Sequence, residues 1–281
     1  MIFDVHAHYW PNTEGFAADT LRQAERARGG PVELVTDYRH YWENAPPDTR
    51  VVLFGGKARQ SGFWQEDDRI AEKVATDPAR YVGFLSLDLS QPCWREDLER
   101  GHRVLRLSGV KLMPMYAGFY PNDPQYYDFW RYVSAHQLPV LLHTGTTFMS
   151  QAPIDCTLPR HLDEVAIRFP EAKIIMAHIA HPYEGEAIAV ARKHPNVYLD
   201  ISALHYRPWQ FFHALMLVTE YRIWPKLLFG TDYPFTTVNE TLDGLERQSR
   251  IEIAGFCLPK DEIEAMIYRD TFKILLAPDL K

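Results

Sequence analysis

The sequence has few cysteines and lacks a long apolar run. Its three cysteines, Cys93, Cys156 and Cys257, are far apart and odd in number. They indicate neither a disulfide framework nor a cysteine zinc site. No apolar stretch reaches the length of a bilayer-spanning helix, and the N-terminus lacks the charged and apolar regions of a signal peptide. We therefore expect a protein of the reducing cytoplasm with no membrane partner.

Positive charge is limited and scattered. The chain has 30 Lys and Arg against 37 Asp and Glu, so its formal net charge is −7. Surfaces that bind nucleic acids concentrate positive charge, and no basic run is present here. We expect a small-molecule substrate and no nucleic-acid partner, and the sequence leaves a homodimer open.

Eight short apolar runs recur along the chain, separated by longer amphipathic stretches. The runs are "IFDVHAH" (2–8), "RVVLFGG" (50–56), "YVGFLSL" (81–87), "SGVKLMP" (108–114), "PVLLHTG" (139–145), "AKIIMAH" (172–178), "NVYLDIS" (196–202) and "KLLFGTD" (226–232). This alternation is typical of parallel strands joined by crossover helices. It predicts an α/β fold, a single-domain (β/α)8 TIM barrel over residues 1–281. We also expect a C-terminal helix at "KDEIEAMIYRDTFKILL" and an extra helix or flap within residues 29–49.

Titratable side chains stand at or just beyond the ends of the predicted strands. They are His6, His8, Lys57, Asp88, Lys111, His143, His178, Asp200 and Asp232. In a (β/α)8 barrel these strand ends face the active site. His6 and His8 are two residues apart, so both point to one side of their strand. One His-x-His motif alone would equally suit two hydrogen-bonded core histidines, but similar residues at other strand ends favour a functional site.

A bound divalent metal ion would explain why imidazoles and a carboxylate are placed where they become buried. The ion compensates the cost of removing its ligands from water. Three histidines and one aspartate suit Zn²⁺, which is the one ion that we expect. Mn²⁺, Fe²⁺ and Co²⁺ are alternatives that the ligand types do not exclude.

The ordered motifs "DVHAH", "GVKLMP", "LPVLLHTG", "AKIIMAHIAHP", "NVYLDIS" and "LLFGTDYP" resemble the amidohydrolase superfamily. The resemblance is to the amidohydrolase-related branch that includes aminocarboxymuconate-semialdehyde decarboxylase, resorcylate decarboxylase and pyrone-dicarboxylate lactonase. It implies that His6, His8, His143 and Asp232 hold the metal. It also implies that His178 is the catalytic histidine, with Asp232 taking part in proton transfer.

The chain departs from this branch after its sixth strand. Where the branch usually has a Gly-Gly pair, "HIAHPYEG" has Ala180 and His181. His181 is therefore either a substrate contact or a residue packed under a loop, and the catalytic role of His178 relative to His181 stays open. More distant superfamily members carry a carboxylated lysine between two metals at the position of Lys111. The branch resembled here does not, so we expect one metal and an ion-pair or substrate-binding role for Lys111.

Aromatic and cationic residues follow the predicted strands. The apolar and aromatic ones are Tyr9, Trp10, Phe63, Trp64, Met115, Tyr116, Phe119, Tyr120, Phe148, Tyr183, Tyr206, Trp209, Tyr233 and Phe235. They suggest either a pocket for a flat substrate or ordinary rim packing. Lys57, Arg59 and Arg207 are available to bind a substrate carboxylate. Asp88, Asp200 and His205 are expected to support the site or cap loops.

Three functions are open at this stage. The first is a metal-dependent hydrolase that uses a metal-activated water on a small carboxylated or ring-containing ester, lactone or amide. The alternative is a metal-dependent non-oxidative decarboxylase, as the resemblance implies, although decarboxylases of the branch are expected to be longer than this chain. The third is a barrel that binds a ligand without turnover, which the full set of candidate ligands disfavours.

Overall fold

The computed structural model describes residues 1–276, and residues 277–281 of the predicted domain lie outside the described part. Eight parallel strands form the centre of the fold. They are β1 (Phe3–His8), β2 (Arg50–Phe54), β3 (Tyr81–Gly83 and Leu85–Leu87), β4 (Val110–Leu112), β5 (Val140–Leu142), β6 (Ile174–Met176), β7 (Val197–Asp200) and β8 (Leu227–Leu228). Each lies within one of the eight apolar runs of the sequence.

Backbone hydrogen bonds close these strands into a barrel. β1, β2 and the first part of β3 pair in one sheet, and the second part of β3 pairs onward through β8 in the other. Phe84 joins the two parts of β3, since its N–H donates to Leu53 O at 2.8 Å. At the other end, the N–H of Val5 donates to Phe229 O at 3.0 Å, which ties β1 to the end of β8. The predicted (β/α)8 fold is confirmed.

Helices cover the outside of the barrel. In the described residues the α-helices are α1 (Ala18–Arg28), α2 (Tyr38–Glu43), α3 (Asp67–Thr76), α4 (Trp94–Glu99), α5 (Pro114–Ala117), α6 (Tyr127–Ala135), α7 (Pro159–Arg168), α8 (Glu184–Lys193), α9 (Pro208–Tyr221), α10 (Val238–Ser249), α11 (Lys260–Ile267) and α12 (Thr271–Leu275). Within residues 1–276, none of them has the length and apolar character to span a membrane.

Two short antiparallel strand pairs lie outside the barrel. Lys57–Ala58 pairs with Phe63–Trp64, and Glu252–Ile253 pairs with Phe256–Cys257. The predicted C-terminal helix is two helices. The first, α11, ends at Ile267, and the side chain of Asp270 caps α12 by accepting from the N–H of Lys273 at 3.3 Å.

Successive side chains of each strand point alternately into two different apolar cores. In β2, Val52 and Phe54 belong to the core inside the barrel, whereas Val51 and Leu53 pack in the layer between strands and helices. Both faces are therefore buried, which is why the strands read as continuous apolar runs in the sequence. In α7, Leu162 and Val165 are one helical turn apart and are both buried on the side facing the barrel.

The connection between β1 and β2 is the long insertion of the fold. It contains α1 and α2, and α2 is the extra helix expected within residues 29–49. The Thr20 hydroxyl of α1 donates to Ser61 O at 2.6 Å, and Gln23 Nε2 donates to Gln151 Oε1 at 3.0 Å. Because Ser61 follows β2 and Gln151 follows β5, α1 lies across the C-terminal mouth of the barrel.

The loop after β5 approaches the loop after β6 at a glycine. Gly145 has a φ of 92°, in the left-handed region that favours glycine. A Cβ at this position would lie 2.1 Å from the backbone oxygen of His181. Any side chain would therefore strain the backbone and push the two loops apart.

We expect Gly145→Ala to lower the free energy of unfolding by about 1–3 kcal/mol, through positive φ and steric overlap. Chemical denaturation measures the effect. Gly185→Ala in α8 is the matched control, since its Cβ would have no atom within 4 Å. It should leave stability unchanged or raise it by up to about 1 kcal/mol. Equal stability of the two variants would contradict the close approach of the loops.

Candidate metal centre and active site

A cavity of about 550 Å³ opens at the C-terminal ends of the strands. Its lining includes the polar residues His8, Lys111, His143, His178, His181, Arg207 and Asp232. Its apolar lining includes Trp10, Phe63, Met113, Tyr116, Phe148, Leu204, Tyr206 and Phe235. The cavity is thus at the end of the barrel where the sequence predicts the active site.

Three strand-end side chains meet at the floor of this cavity. His6 Nε2 lies 3.2 Å from Asp232 Oδ1, and His8 Nε2 lies 3.1 Å from the same oxygen. β1 supplies both histidines, and the loop after β8 supplies Asp232. These strands are neighbours in the closed barrel, and the N–H of Asp232 donates to His6 O at 2.8 Å. The floor is therefore built where the barrel closes.

Asp4 connects the two strands that carry these residues. This fully buried carboxylate accepts from the N–H of His6 at 3.0 Å and from the N–H of Thr231 at 3.0 Å. The hydroxyls of Thr231 and Tyr41 also donate to it, at 2.7 and 2.8 Å. Because Thr231 precedes Asp232, these bonds set the distance between His6 and Asp232.

Asp200 at the end of β7 determines which ring nitrogens face the cavity. Its carboxylate accepts from His6 Nδ1 at 2.8 Å and from the Ser202 hydroxyl. Since Ser202 gives its only proton to Asp200, its oxygen must accept from His178 Nδ1, 2.7 Å away. His6 and His178 therefore both carry their proton on Nδ1 and direct the lone pair of Nε2 toward the cavity.

His143 at the end of β5 presents a third lone pair. Its Nε2 lies 3.0 Å from the backbone oxygen of Thr146, which can only accept, so Nε2 carries the proton. His143 Nδ1 then faces His178 Nε2 at 3.4 Å with no hydrogen between them. His6 Nε2 and Asp232 Oδ1 are also two acceptors in contact, but the ammonium group of Lys111 donates to His6 Nε2 at 3.3 Å. Acceptor atoms that meet in this way require a positive charge among them.

The electrostatics of the site keep several imidazoles neutral. Burial lowers the pKa of His8 and of His178 to about 4, and it holds the pKa of His143 well below its usual range. Burial opposes ionisation of Asp232, but hydrogen bonds from His6 and His8 and the charge of His6 keep its pKa well below the usual value. Neutral imidazoles and a carboxylate are the forms that bind metal ions.

The residues fit a divalent metal ion. Donor atoms of His6, His178 and Asp232 lie within 4.8 Å of one another. His8 Nδ1 is buried and has no hydrogen-bond partner in residues 1–276. Lys111 supplies a donor to His6 Nε2 at one of the two contacts, and Asp200 raises the pKa of His6 against burial and the charge of Lys111. A metal ion would satisfy both.

Of the predicted substrate-binding residues, the structure brings Lys111, His181 and Arg207 to the cavity. Lys111 Nζ donates to His6 Nε2 at 3.3 Å. Burial lowers the pKa of Lys111 to about 8. His181 Nδ1 lies 3.0 Å from Glu184 Oε1, and both residues are buried.

Lys57 and Arg59 are not in the lining of the cavity, contrary to the expectation from sequence. Lys57 Nζ donates to the buried Asp67 carboxylate at 2.8 Å. The Arg59 guanidinium lies over Trp64, 3.9 Å from the ring centroid. Both cations have their partners within residues 57–67, and the structure does not bring either of them to the described lining of the cavity.

Several supporting residues were not identified from the sequence. They are Asp4, Thr231, Ser202 and Glu184. The sequence spacing could have identified two of them, Asp4 and Ser202. Asp4 is two residues before His6, and Ser202 is two residues after Asp200, which places each pair on one side of an extended chain. The hydrogen bonds of Asp200 agree with its expected supporting role.

The chain belongs to the amidohydrolase family, whose model matches residues 3–271. It is similar to a gamma-resorcylate decarboxylase of a Polaromonas species, with 26% identity over 72% of this chain and 74% of the relative. Its fold is similar to that of a TIM-barrel protein from Bordetella bronchiseptica, with 19% identity, 98% coverage of both chains and a TM-score of 0.72.

A further similar structure is a dihydroxybenzoic acid decarboxylase from a Polaromonas species, which holds manganese and the inhibitor 2-nitroresorcinol. It is 17% identical, with a TM-score of 0.64, and the alignment covers 98% of this chain and 96% of that chain. The chain is an enzyme of the amidohydrolase superfamily, and the comparisons favour the decarboxylase alternative over the hydrolase.

We expect Asp200→Asn to weaken divalent metal binding by about 10–100-fold, because the amide cannot accept from both His6 and Ser202. Competition titration with a metal chelator measures this affinity for Mn²⁺ and Zn²⁺. Asp243→Asn, at an exposed position of α10, is the matched control and should bind metal like the unaltered protein. A folded Asp200→Asn protein with unchanged metal affinity would show that Asp200 does not orient the ligands.

Proposed function

We propose that this enzyme removes the carboxylate of a hydroxylated aromatic acid as CO₂, without oxidation and with one divalent metal ion. The observation that carries the proposal is the arrangement of the cavity. Metal-binding groups and the ammonium group of Lys111 lie at its floor, and aromatic side chains form its walls. This arrangement suits a flat ring whose charged end points to the floor.

The similarity to a gamma-resorcylate decarboxylase supports this choice. Gamma-resorcylate, the substrate in that relative's name, is a benzoic acid with ring hydroxyl groups, and the alignment covers about three quarters of that protein. The hydrolase is the weaker of the two candidates, because no feature of the cavity calls for an ester, a lactone or an amide.

We assign His6, His8, His143 and Asp232 as the residues that would hold the ion. His178 Nε2 also faces the floor, 3.4 Å from His143 Nδ1, and we assign His178 to proton transfer instead. When bound there, a divalent ion would act as a Lewis acid toward substrate oxygen atoms. Zn²⁺ and Mn²⁺ both suit these ligands, and manganese is the ion in the solved dihydroxybenzoic acid decarboxylase. The acceptor atoms that face each other at the floor support the assignment.

Lys111, Arg207 and His181 would orient the substrate. Lys111 lies at the floor, and its ammonium group would offer a positive charge to the substrate carboxylate. Arg207 lines the wall, and its Nη1 donates to Ala203 O at 3.0 Å, which fixes the guanidinium near the cavity. His181 donates from Nδ1 to Glu184, which leaves its Nε2 free to accept from a ring hydroxyl.

His178 would move the proton that the reaction needs. Its Nε2 carries a lone pair and its Nδ1 is held by Ser202, so it can accept a proton from a ring hydroxyl. Cleavage of the bond to the carboxylate releases CO₂ and leaves the electron pair on the ring carbon. His178 then delivers the proton to that carbon, and the phenolate oxygen regains a proton from water.

The proposal predicts that 2,6-dihydroxybenzoate and related hydroxybenzoates lose CO₂ in the presence of Mn²⁺ or Zn²⁺. In D₂O the product should carry one deuterium at the carbon that lost the carboxylate, which mass spectrometry detects. A panel of aryl esters and lactones should remain intact. Hydrolysis of a lactone or ester without release of CO₂ from any benzoate would overturn the proposal in favour of a hydrolase.

His178→Asn tests the proton transfer within the same assay. The variant should retain metal and lose turnover by a factor of about 10² or more, as expected for loss of a general acid or base. His194→Asn is a matched control, because His194 lies at the end of α8 and pairs with Asp163 away from the cavity. A His178→Asn enzyme with an unaltered rate would move the proton-transfer role to His181.

A further inference from the structure

The cavity has two ends of different chemistry. The strand ends supply the metal-binding floor, whereas the far end is formed by α1 and the segment that follows it, here called the roof. The cavity-lining residues of the roof are Thr20, Ala24, Ala27, Val32 and Leu34. None of the five is charged, and the single hydroxyl, on Thr20, already donates to Ser61 O at 2.6 Å.

The cavity is larger than one aromatic ring requires. An apolar cavity of about 150 Å³ is sufficient to hold benzene, and this cavity measures about 550 Å³. A ring bound at the floor would therefore leave unfilled space toward the roof. Ala24 and Ala27 are three residues apart on one face of α1, and their small side chains leave this space open.

The roof is held in place by hydrogen bonds to the loop after β5. Gln23 Oε1 accepts from the N–H of Ser150 at 2.7 Å, and Gln23 Nε2 donates to Gln151 Oε1 at 3.0 Å. Arg26 Nη2 donates to Phe148 O at 3.2 Å. These bonds fix α1 across the mouth, so the apolar space is a formed part of the cavity.

We propose that the substrate is an aromatic monocarboxylate with an apolar alkyl substituent on the ring, opposite the carboxylate, and that this substituent lies against the roof. The inference rests on the proposed decarboxylase function. The described cationic side chains that line the cavity are Lys111 and Arg207, and neither belongs to the roof. A carboxylate or another strongly polar substituent at that end would find no charged roof residue to bind, whereas an alkyl group would contact the apolar side chains of the roof.

Binding of product-like phenols tests the inference without requiring turnover. The probes are resorcinol, 5-ethylresorcinol, 5-propylresorcinol and the size-matched polar compound 5-(hydroxymethyl)resorcinol, titrated into the metal-loaded protein by calorimetry. Each added methylene should raise affinity by about fourfold, which makes the propyl compound bind at least tenfold more tightly than resorcinol. The ethyl compound should bind more tightly than the hydroxymethyl compound.

Substitutions of roof residues test whether the alkyl group binds against the roof. Ala24→Phe should remove the gain from the propyl group and change the affinity for resorcinol by less than about twofold, because the larger side chain fills only the space that the substituent uses. Ala27→Phe is a second variant at a more open position, in case Ala24→Phe does not fold. Ala18→Phe, exposed on the same helix, is the matched control and should leave both affinities unchanged.

The outcomes separate this inference from the proposed function. Equal affinities across the alkyl series, or a propyl gain that survives both Ala24→Phe and Ala27→Phe, would overturn the inference even if hydroxybenzoates are decarboxylated. An alkyl gain that both variants remove would support it. If both variants remove the alkyl gain but no benzoate releases CO₂, binding of an alkyl group at the roof is supported and the proposed decarboxylase function is wrong.

Discussion

The site depends on the carboxylate of Asp200, which determines where two imidazole protons lie. By accepting from His6 Nδ1 and from Ser202, it turns the lone pairs of His6 Nε2 and His178 Nε2 toward the cavity. Unpaired acceptors at a buried position are costly unless a cation or proton is shared among them. The barrel thus holds a set of groups that favours positive charge at its floor. Lys111 supplies part of that charge, and a metal ion would add to it.

Closure of the barrel brings this set together. β1 and β8 are far apart in sequence and adjacent in space, and Asp4 bonds to both of the backbone segments that carry His6 and Asp232. The long insertion after β1 then covers the floor with α1. One part of the chain, residues 3–34, therefore supplies two candidate ligands, the residue that positions them and the apolar roof.

Much of the fold could be predicted from the sequence because strands buried on both faces leave continuous apolar runs, and polar residues at their ends stand out. The candidate residues His6, His8, His143, His178 and Asp232 stand out in this way, and the structure places them near one another. The loops were less predictable. Lys57 follows a strand, as Lys111 does, but its partner Asp67 lies ten residues later, and strand-end position alone cannot reveal that pairing. The placement of α1 also depends on hydrogen bonds to residues far away in the sequence.

The most direct test of this account is a crystal structure of the protein loaded with Mn²⁺, with anomalous scattering used to locate the ion. The account predicts one anomalous peak per chain, coordinated by His6 Nε2 and Asp232, with His6 Nδ1 still bonded to Asp200. An ion bound elsewhere, with the floor residues bonded only to one another, would contradict it.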